Sequence, residues 1–507
     1  MIELSAADIA AVTGGTLSPS AQETPSLVAH SATTDSRESR PGGLFIAKPG
    51  EATDGHHFVS SAFANGAVLA LVERVITDDD GTDFPAVVVP DAVEAMGRLA
   101  GEVVRRLRAH SPLTVIGITG SAGKTTTKDV LAQLLREEGT TVSPIGSYNG
   151  EIGVPLTVFS AEYGTRYLVI EMGATGVGHI EYLASMVQPD IGIVLCVGSA
   201  HAGEFGGVDM IATAKGELPR SLGSGGVAIL NGDDRRVLAM ADQTQAQTVL
   251  FTEDSTFDRA GGSVVRAENV TLSVEGNPCF TLLLPDGSRR EVRPLLIGRH
   301  HVANLLAAAS VACVLGIPGE RIASGLCTAR AVSRWRMERT DRPDGVTVIN
   351  DAYNANPESM RAALATLAEL GRGRRTWAVL GEMLELGEDS ITAHDALGRV
   401  VVRLNISKLL VVGTGAKALH TGAVLEGSWG DEAIFVEDVA QAEEVLDREL
   451  QPGDLVLVKS SNGAGLRHLG DRLALASDES SAVPEAAPGS RAESNGPGPK
   501  NQGGPSL

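Results

Sequence analysis

Short apolar runs alternate with amphipathic helical stretches along most of the chain. Between about residues 111 and 333, LTVIGITG, YLVIEMGA, DIGIVLCVG and GVAILNGDD read as strands, and KTTTKDVLAQLLREEG reads as a helix. From 334 to 477, GVTVIND, TWAVLGEM, KLLVVGTGAKAL and DLVLVKSS alternate with PESMRAALATLAEL and SITAHDALGRVVVRLN. Apolar strands followed by amphipathic helices are typical of parallel, doubly wound sheets. The pattern therefore predicts an α/β protein.

The same pattern divides the chain into three blocks and a tail. Residues 1–110 mix short strands with turns and close with a helical stretch from Ala92 to Arg108, which predicts a small mixed α/β domain. Residues 111–333 predict a central doubly wound sheet, within which Phe251 to Val292 resembles a less regular β insertion. Residues 334–477 predict a Rossmann-like α/β domain. Residues 478–507 are rich in Ser, Pro, Gly and Glu, a composition that predicts a disordered tail.

Charge and cysteine content narrow the class of partner. The chain has 42 basic and 63 acidic residues, a formal net charge of −21, so we expect no nucleic-acid partner and no binding to anionic membranes. The four cysteines are scattered without a CxxC pair. The N-terminus lacks signal-peptide features, and the longest nearly apolar run, Leu305 to Ile317, is too short to cross a bilayer. We expect a cytoplasmic monomer.

The strongest local signal is a glycine-rich loop, GITGSAGKTTT, at residues 117–127. It follows a predicted strand and opens a predicted helix, the context in which such loops bind phosphate. Lys124 would add a full positive charge, and Thr125 a hydroxyl ligand for Mg²⁺. Ile118 replaces the first glycine of the strict GxxxxGK[ST] pattern. An ordinary glycine-rich turn is the alternative, but a P-loop ATPase-like central sheet is favoured.

Polar residues follow the later strands of the same block. Glu171 ends YLVIEMGA, His201 follows DIGIVLCVGSA, and Asn231 and Asp233 follow GVAIL. Ligands of open α/β sheets bind outside the carboxyl ends of the strands, and Mg²⁺ prefers hard oxygen ligands. We therefore expect one crevice with Glu171 as a metal ligand, whereas His201 could equally be a capping or core residue. A kinase, a hydrolase and a ligase all remain open at this point.

Read together, the motifs resemble those of the Mur ligase family over roughly residues 25–475. The segments that carry the resemblance occur in the family's order: TDSRESRPGGLFIA, DGHHFVSSAFANGA, ITGSAGKTTTKD, YNGEIGVPLT, IEMGATGVGHI, AHAGEFGG, ATAKGEL, GRHHVANLLAA, SRWRME, NDAYNANPESM and VLGEMLELGEDS. The last two are most similar to the members that add D-alanyl-D-alanine to UDP-N-acetylmuramoyl-tripeptide. The resemblance implies that ATP converts the tripeptide carboxylate into an acyl phosphate, which the dipeptide amine attacks, with Mg²⁺ as cofactor, in peptidoglycan precursor synthesis.

The resemblance also implies a set of site residues. Those expected to act in catalysis are Lys124, Glu171, His201 and Lys215, and the expected metal ligands are Thr125, Glu171, His201 and Lys215 as a carbamate. Those expected to bind ATP are Gly117, Gly120, Ser121, Ala122, Gly123, Lys124, Thr125, Thr126, Asn304, Arg336 and Asp351. Those expected to bind the uridine substrate are Asp35, Ser36, Arg37, Phe45, His56 and Asn149, and those expected at the amine substrate are Tyr353, Asn354 and Asn356.

Simpler roles remain open for several of these residues. Asn356 could cap the helix that opens at Pro357, and Asp35 to Arg37 could form only an Asx-type turn. Arg336 could form a surface or interdomain salt bridge, and Lys215 could hold phosphates as an ammonium ion.

The chain departs from the family pattern at four positions. Gly150 and His301 stand where asparagine is usual, His179 replaces an acid, and Asn462 replaces the arginine of a Lys-Gly-Ser-Arg motif. Three rival functions follow from such departures or from single motifs: a ligase of the same type that adds one amino acid, a catalytically weak regulatory or scaffolding relative, and a plain P-loop kinase. The Asp-Asn-Pro-Arg motif of ligases that add one amino acid is absent here. Intact Lys124, Glu171 and Lys215 argue against a catalytically weak relative. A plain kinase would leave the first and third blocks unexplained.

Overall fold

The apolar runs of the sequence become the strands of three large sheets. The computed structural model describes residues 1–50, 53–144, 146–198, 205–254, 256–257, 263–428 and 430–475. The predictions for His201 and for the tail at 478–507 lie outside these residues. Three large sheets follow one another along the chain, each with helices between its strands. This arrangement confirms the predicted α/β class with three parts.

The first sheet has five strands in the order β2-β7-β6-β5-β4, and a two-stranded ladder of β1 and β3 lies beside it. The strands are β1 (Leu4–Ser5), β2 (Thr16–Leu17), β3 (Val28–Ala29), β4 (Ser31–Thr33), β5 (Gly43–Ile46), β6 (Ala67–Val72) and β7 (Ala86–Val88). The helices are α1 (Ala6–Thr13), α2 (Pro19–Glu23), α3 (Val59–Ala64) and α4 (Ala92–His110). Only β2 runs antiparallel to its neighbour in the five-stranded sheet.

Helix α4 joins the first sheet to the second. Asp91 caps its start by accepting hydrogen bonds from the N–H groups of Val93 and Glu94, each at 2.8 Å. Its buried positions recur at helical spacing, and Met96 and Leu99 share one core cluster with Met186 of the central block. The predicted helix is thus confirmed, and it buries the apolar stripe that the sequence indicated.

The central sheet has nine strands in the order β16-β15-β14-β13-β12-β11-β8-β10-β9. The strands are β8 (Thr114–Thr119), β9 (Thr141–Val142), β10 (Tyr167–Glu171), β11 (Ile191–Val194), β12 (Val227–Asn231), β13 (Gln247–Thr252), β14 (Ser263–Leu272), β15 (Pro278–Leu283) and β16 (Arg289–Val292). The chain passes from β10 to β11 across β8, so the strand order reverses at β8. A ligand crevice is expected at such a reversal, outside the carboxyl end of the strands.

The segment predicted as an irregular insertion is instead the antiparallel edge of this sheet. Strands β14, β15 and β16 continue the sheet beyond β13, with one register shift between Glu268 and Thr271. The helices of the central block are α5 (Lys124–Arg136), α6 (Gly153–Phe159), α7 (His179–Val187), α8 (Val208–Lys215), α9 (Glu217–Ser221), α10 (Arg235–Leu238), α11 (His301–Val314) and α12 (Gly319–Thr328).

The third sheet has six strands in the order β17-β18-β22-β19-β20-β21, all parallel except β17. The strands are β17 (Glu338–Asp341), β18 (Thr347–Asn350), β19 (Thr376–Leu380), β20 (Lys408–Val412), β21 (Ala433–Val436) and β22 (Leu455–Lys459). The helices are α13 (Pro357–Leu370), α14 (Ser390–Arg403), α15 (Lys417–Glu426), α16 (Val439–Glu449) and α17 (Leu466–Leu475). Its two faces carry separate apolar cores, as expected for a sheet with helices on both sides. Across the residues described, no helix combines the length and apolarity needed to cross a membrane.

Candidate active site

The glycine-rich loop joins β8 to α5 in the predicted strand–loop–helix order. Gly123 has φ of +82°, and a Cβ there would lie 2.3 Å from Oδ1 of Asn304. Only glycine therefore allows the loop to approach helix α11 so closely. Lys124 opens α5 and donates a hydrogen bond from Nζ to the carbonyl oxygen of Gly120 at 2.7 Å. Burial lowers the pKa of this lysine, against the opposing effect of the Glu171 carboxylate.

Glu171 ends β10 directly beside this loop and is the centre of a cluster of oxygen atoms. Its Oε2 accepts a hydrogen bond from the hydroxyl of Thr125 at 3.0 Å, and its Oε1 accepts from the hydroxyl of Ser147 at 3.0 Å and from Nδ2 of Asn149 at 2.9 Å. The carboxylate is 1% exposed. Buried hard oxygens next to a phosphate loop are the chemistry that Mg²⁺ requires. No group of three or more His, Cys, Asp or Glu side chains with metal-site geometry occurs among the described residues.

Asn149 owes its position to Gly173, a glycine of the IEMGATGVGHI segment. A Cβ at Gly173 would lie 2.9 Å from the Asn149 amide, so glycine is required for the amide to reach Glu171. That Asn149 binds the uridine substrate stays a prediction. The structure places this residue at the carboxylate of the phosphate-loop crevice and not beside Asp35.

Lys215 faces the same crevice from the end of α8. It is 6% exposed, and burial together with the positive charge of Lys124 lowers its pKa to about 7. The thiol of Cys196, which follows β11, lies near both lysines, and burial raises its pKa. Lys215 can therefore exist as a neutral amine near neutral pH, the form that reacts with CO₂.

Two polar residues at and just after the end of β12 hydrogen-bond to the ends of neighbouring strands. Asn231 donates from Nδ2 to the carbonyl oxygen of Leu195 at 2.8 Å, and Asp233 accepts from the hydroxyl of Thr252 and from the N–H of Glu253. Both side chains tie loops at strand ends together.

Helix α11 supports the loop through buried amide and imidazole groups. Asn304 accepts at Oδ1 from the hydroxyl of Thr127 at 3.3 Å, and its Nδ2 lies 3.2 Å from Nδ1 of His301. Burial lowers the pKa of His300 to about 4 and that of His301 well below its usual range, so both imidazoles are neutral. His301 and Arg336 also line a cavity of about 240 Å³ between this helix and residues 330–339.

The third sheet contacts the phosphate loop through two side chains. Asn356 donates from Nδ2 to the carbonyl oxygen of Ser121 at 3.2 Å. Its Oδ1 accepts from the N–H of Ser359 at 2.8 Å in a capping box, so the helix-start alternative is observed as well. Arg336 extends one terminal nitrogen to 3.3 Å from the Thr125 hydroxyl.

A buried ion pair lies behind these contacts. Lys459, at the end of β22, donates to Oδ2 of Asp351 at 2.6 Å and to the carbonyl oxygen of Asn354 at 2.9 Å. Burial lowers the pKa of Lys459, against the attraction of Asp351. Asn354 itself is exposed. The guanidinium of Arg336 lies over the ring of Tyr353, 4.5 Å from the centre of that ring. Lys459 was not among the predicted residues, although its place at the end of an apolar strand was a usable signal.

A second and larger cavity, of about 1440 Å³, lies between the first sheet and residues 143–162. Asp35, Ser36 and Arg37 line it, as does Tyr148, whose neighbours contact Glu171. The Asx-type turn is also observed: Asp35 accepts at Oδ1 from the N–H of Arg37 at 2.9 Å. Hydrogen bonds from Arg37 lower the pKa of Asp35 to about 2. The three residues thus form a local turn whose side chains face the cavity.

Phe45 and His56 do not line this cavity, which corrects their predicted role. Phe45 is fully buried in the core of the first sheet. His56 is 2% exposed, with Nδ1 2.6 Å from Oδ1 of Asp54 and Nε2 accepting from the N–H of Glu73 at 2.8 Å. These side chains support the sheet, because no surface of either ring is left for a ligand.

The departures from the family pattern fall on local features. A Cβ at Gly150 would meet open space, and His179 lies within 3.2 Å of the Thr175 hydroxyl at the start of α7. The N–H groups at that helix start are held by Glu217, which accepts from Gly178 at 2.6 Å. Asn462 is exposed, and its carbonyl oxygen accepts from Arg467 at 2.9 Å.

Comparison with known proteins covers nearly the whole chain. Three family profiles match: the Mur ligase family catalytic domain at residues 28–104, the Mur ligase middle domain at 118–312 and the Mur ligase glutamate ligase domain at 335–462. The UDP-N-acetylmuramoyl-tripeptide–D-alanyl-D-alanine ligase of Mycobacterium tuberculosis is 45% identical, covering 93% of this chain and 98% of its own.

Solved structures agree with that similarity. The crystal structure of MurF from Acinetobacter baumannii aligns with a TM-score of 0.80 at 31% identity, covering 93% of this chain and 99% of its own. The MurF ligase of Thermotoga maritima in complex with ADP aligns with a TM-score of 0.73 at 26% identity, covering 89% and 99%.

Proposed function

The chain belongs to the Mur ligase family and is an ATP-dependent, amide-bond-forming ligase, and on this premise we propose that it joins D-alanyl-D-alanine to UDP-N-acetylmuramoyl-tripeptide in cytoplasmic peptidoglycan precursor synthesis. ATP use is supported by the ADP complex of the related ligase. The function is carried by one observation above all. Lys124, Glu171, Arg336 and Asn356, which come from two different sheets, meet around one phosphate loop.

The reaction follows from the chemistry of the carboxylate. A carboxylate is a poor electrophile, so its attack on the γ-phosphate of ATP, with loss of ADP, produces an acyl phosphate with a good leaving group. The dipeptide amine then attacks the carbonyl carbon and phosphate departs. Lys124 and Arg336 place positive charge where the transferred phosphoryl group gains negative charge. Contacts between the third sheet and the loop help to exclude water, which would otherwise hydrolyse the acyl phosphate.

The oxygen cluster around Glu171 fits Mg²⁺. Glu171 and the Thr125 hydroxyl would hold the ion, with water and phosphate oxygens completing its coordination, since Mg²⁺ commonly keeps few protein ligands. When bound, the ion would neutralise charge on the phosphates. His201, predicted as a further ligand, lies outside the described residues.

Lys215 is proposed to act as a carbamate. Its low pKa makes the neutral amine available for addition of CO₂, and the resulting anion would carry hard oxygen atoms toward the same crevice. An ammonium ion at this place would instead repel Lys124, the interaction that already lowers the Lys215 pKa.

The proposal divides the substrates among the three predicted units, residues 1–110, 111–333 and 334–477. The uridine substrate would occupy the large cavity beside Asp35 to Arg37, ATP the phosphate loop, and the dipeptide the edge of the third sheet near Tyr353 and Asn354. Tyr148 lines the large cavity while Ser147 and Asn149 contact Glu171, so the cavity leads to the phosphoryl-transfer crevice.

The test measures ADP release with each substrate omitted in turn. We expect ADP only when ATP, UDP-N-acetylmuramoyl-tripeptide and D-alanyl-D-alanine are all present, apart from slow hydrolysis without the amine. Replacing the dipeptide by D-alanine should lower the rate strongly. Equal or faster ADP release with D-alanine would reject the dipeptide assignment, and release that is independent of the uridine substrate would reject the ligase mechanism.

A further inference from the structure

Arg336 is flanked by two residues with unusual backbone conformations. Trp335 has φ of +58° and Met337 has φ of +51°, in the left-handed region that bulky side chains rarely adopt. Such conformations persist only where the surrounding structure holds them, and they concentrate at functional sites. The backbone of residues 335–337 therefore has a conformation that must be stabilised by contacts with the rest of the structure.

The third sheet and its flanking loops hold this backbone by three hydrogen bonds. The N–H of Trp335 donates to Oε2 of Glu338 at 3.0 Å, and the N–H of Met337 donates to Oδ1 of Asp351 at 3.1 Å. The carbonyl oxygen of Trp335 accepts from the N–H of Tyr353 at 3.3 Å. Both amides that flank Arg336 are thus fixed by carboxylates of the C-terminal part of the chain.

The indole of Trp335 is fixed as well. Its Nε1–H donates to both carboxylate oxygens of Asp471 on α17, at 2.9 and 3.1 Å. Its ring stacks with that of Tyr353 at 6.3 Å between centroids, and the guanidinium of Arg467 lies 5.3 Å from its centre. We name Trp335, Tyr353 and Asp471 the aromatic bracket.

The bracket ends at the guanidinium of Arg336. This group lies 4.5 Å from the centre of the Tyr353 ring and 3.3 Å from the Thr125 hydroxyl. Its Nε is buried and has no hydrogen-bond partner among the described residues. An arginine that is held by its neighbours while a donor stays unused is prepared for an anionic ligand.

We propose that Trp335 is a positioning residue that, anchored by Asp471 on the last helix of the third sheet, aims Arg336 at the phosphates of ATP. Docking of the third sheet then sets the geometry of phosphoryl transfer in the central sheet. The inference rests on the proposed function in one respect, that ATP occupies the phosphate loop. The competing explanation is that the bracket only holds the two sheets together.

A double-mutant cycle on the full chain separates these explanations. Trp335→Ala should lower kcat/KM for ATP about tenfold while the KM values for the uridine substrate and the dipeptide stay within about twofold. In an Arg336→Ala background the same substitution should cause no further loss. Additive losses, or equal changes for all three substrates, would overturn the proposal.

Two further variants guard against a simple folding defect. Trp335→Phe keeps an aromatic ring beside Tyr353 but loses the hydrogen bond to Asp471, so it should recover only part of the ATP-specific loss. Phe435→Ala is the matched control, because Phe435 on β21 is also a half-buried aromatic residue in contact with a cation, Lys417. This substitution should leave the KM for ATP unchanged. If kcat/KM for ATP were no higher in Trp335→Phe than in Trp335→Ala, the positioning role of Trp335 would be contradicted.

ATP binding measured by calorimetry keeps this test independent of ligation. Trp335→Ala should weaken ATP binding in the wild-type background and leave it unchanged when Arg336 is already alanine. If the wild-type chain bound ATP but did not ligate, the proposed function would fail while this cycle still decided the role of Trp335. Equal weakening in both backgrounds would refute it.

Discussion

The phosphate-loop crevice and the large cavity beside the first sheet are built in opposite ways. In the crevice, Glu171 is buried and bonded by side chains from separate segments of the chain, and Lys124 and Lys215 have lowered pKa values. In the cavity, Asp35 and Arg37 bond mainly to each other, and the Arg37 side chain is 86% exposed. Charges in the crevice therefore act at low dielectric and full strength, whereas those in the cavity are screened by water.

The comparison indicates which substitutions should change the catalytic rate and which should change substrate affinity. Substitutions in the crevice should change the chemical step, because its groups are arranged in advance around the place where charge develops. Substitutions in the cavity should change substrate affinity by small amounts, because each exposed group contributes little.

The largest effect is expected for Lys124→Ala. Loss of a fixed positive charge at the transferred phosphoryl group should lower kcat by about 10²- to 10³-fold. The melting temperature should change little, because the lost bond to Gly120 is offset by removing a desolvated charge. Steady-state kinetics with thermal unfolding measures both, with Lys417→Ala as the control lysine outside the crevice. A rate near wild type would show that the crevice does not perform the chemistry.

Lys215→Ala should also reduce kcat strongly, by about one hundredfold, if its carbamate contributes charge to the crevice. The two possible chemical forms of this lysine predict different rescue. A small carboxylic acid that enters the vacated space should restore part of the rate when a carbamate is lost, whereas a small amine would replace an ammonium ion. Rescue by methylamine without rescue by acetate would refute the carbamate.

The difference between the two regions also explains what could be predicted from sequence. The glycine-rich loop with Lys124 and Thr125 is contiguous, and its strand–helix context is visible in the hydrophobic pattern, so its geometry was correctly expected. The end of an apolar strand marks Lys459 as a candidate, but nothing in the sequence pairs it with Asp351, which lies 108 residues away. Motifs that are continuous in the sequence can thus be recognised from it, whereas contacts that form only when strands assemble into a sheet cannot.

The errors in the cavity have a related cause. Phe45 and Arg37 lie in one stretch that resembles the family's uridine-binding segment, but Phe45 lies on the buried strand β5 whereas Arg37 lies in an exposed turn. Without the register of the first sheet, a core residue cannot be distinguished from a lining residue. The positions of His56 and Phe45 needed the three-dimensional packing of strands that the pattern left undefined.

His56→Ala sharpens the comparison by testing a residue that supports the cavity without lining it. Removing the imidazole leaves the N–H of Glu73 without its partner and should lower the free energy of unfolding by about 1–3 kcal/mol. The KM for the uridine substrate should stay unchanged. Denaturant unfolding and kinetics provide the two readouts, and His57→Ala is a matched control because His57 is the exposed neighbour. A raised KM without loss of stability would return His56 to the binding site.

The smallest effect is expected for Arg37→Ala. An exposed charge–charge contact contributes about 0.2–1 kcal/mol, so the KM for the uridine substrate should rise only about two- to fivefold. kcat and melting temperature should not change, because the side chain is exposed and bonds only to Asp35 within its own turn. Arg74→Ala is the matched control, an exposed, ion-paired arginine of the same region that does not line the cavity. Salt adds a second criterion, since screening should shrink the difference between Arg37→Ala and wild type as ionic strength rises. A loss of kcat, or an effect that persists at high salt, would mean that this cavity is organised like the crevice.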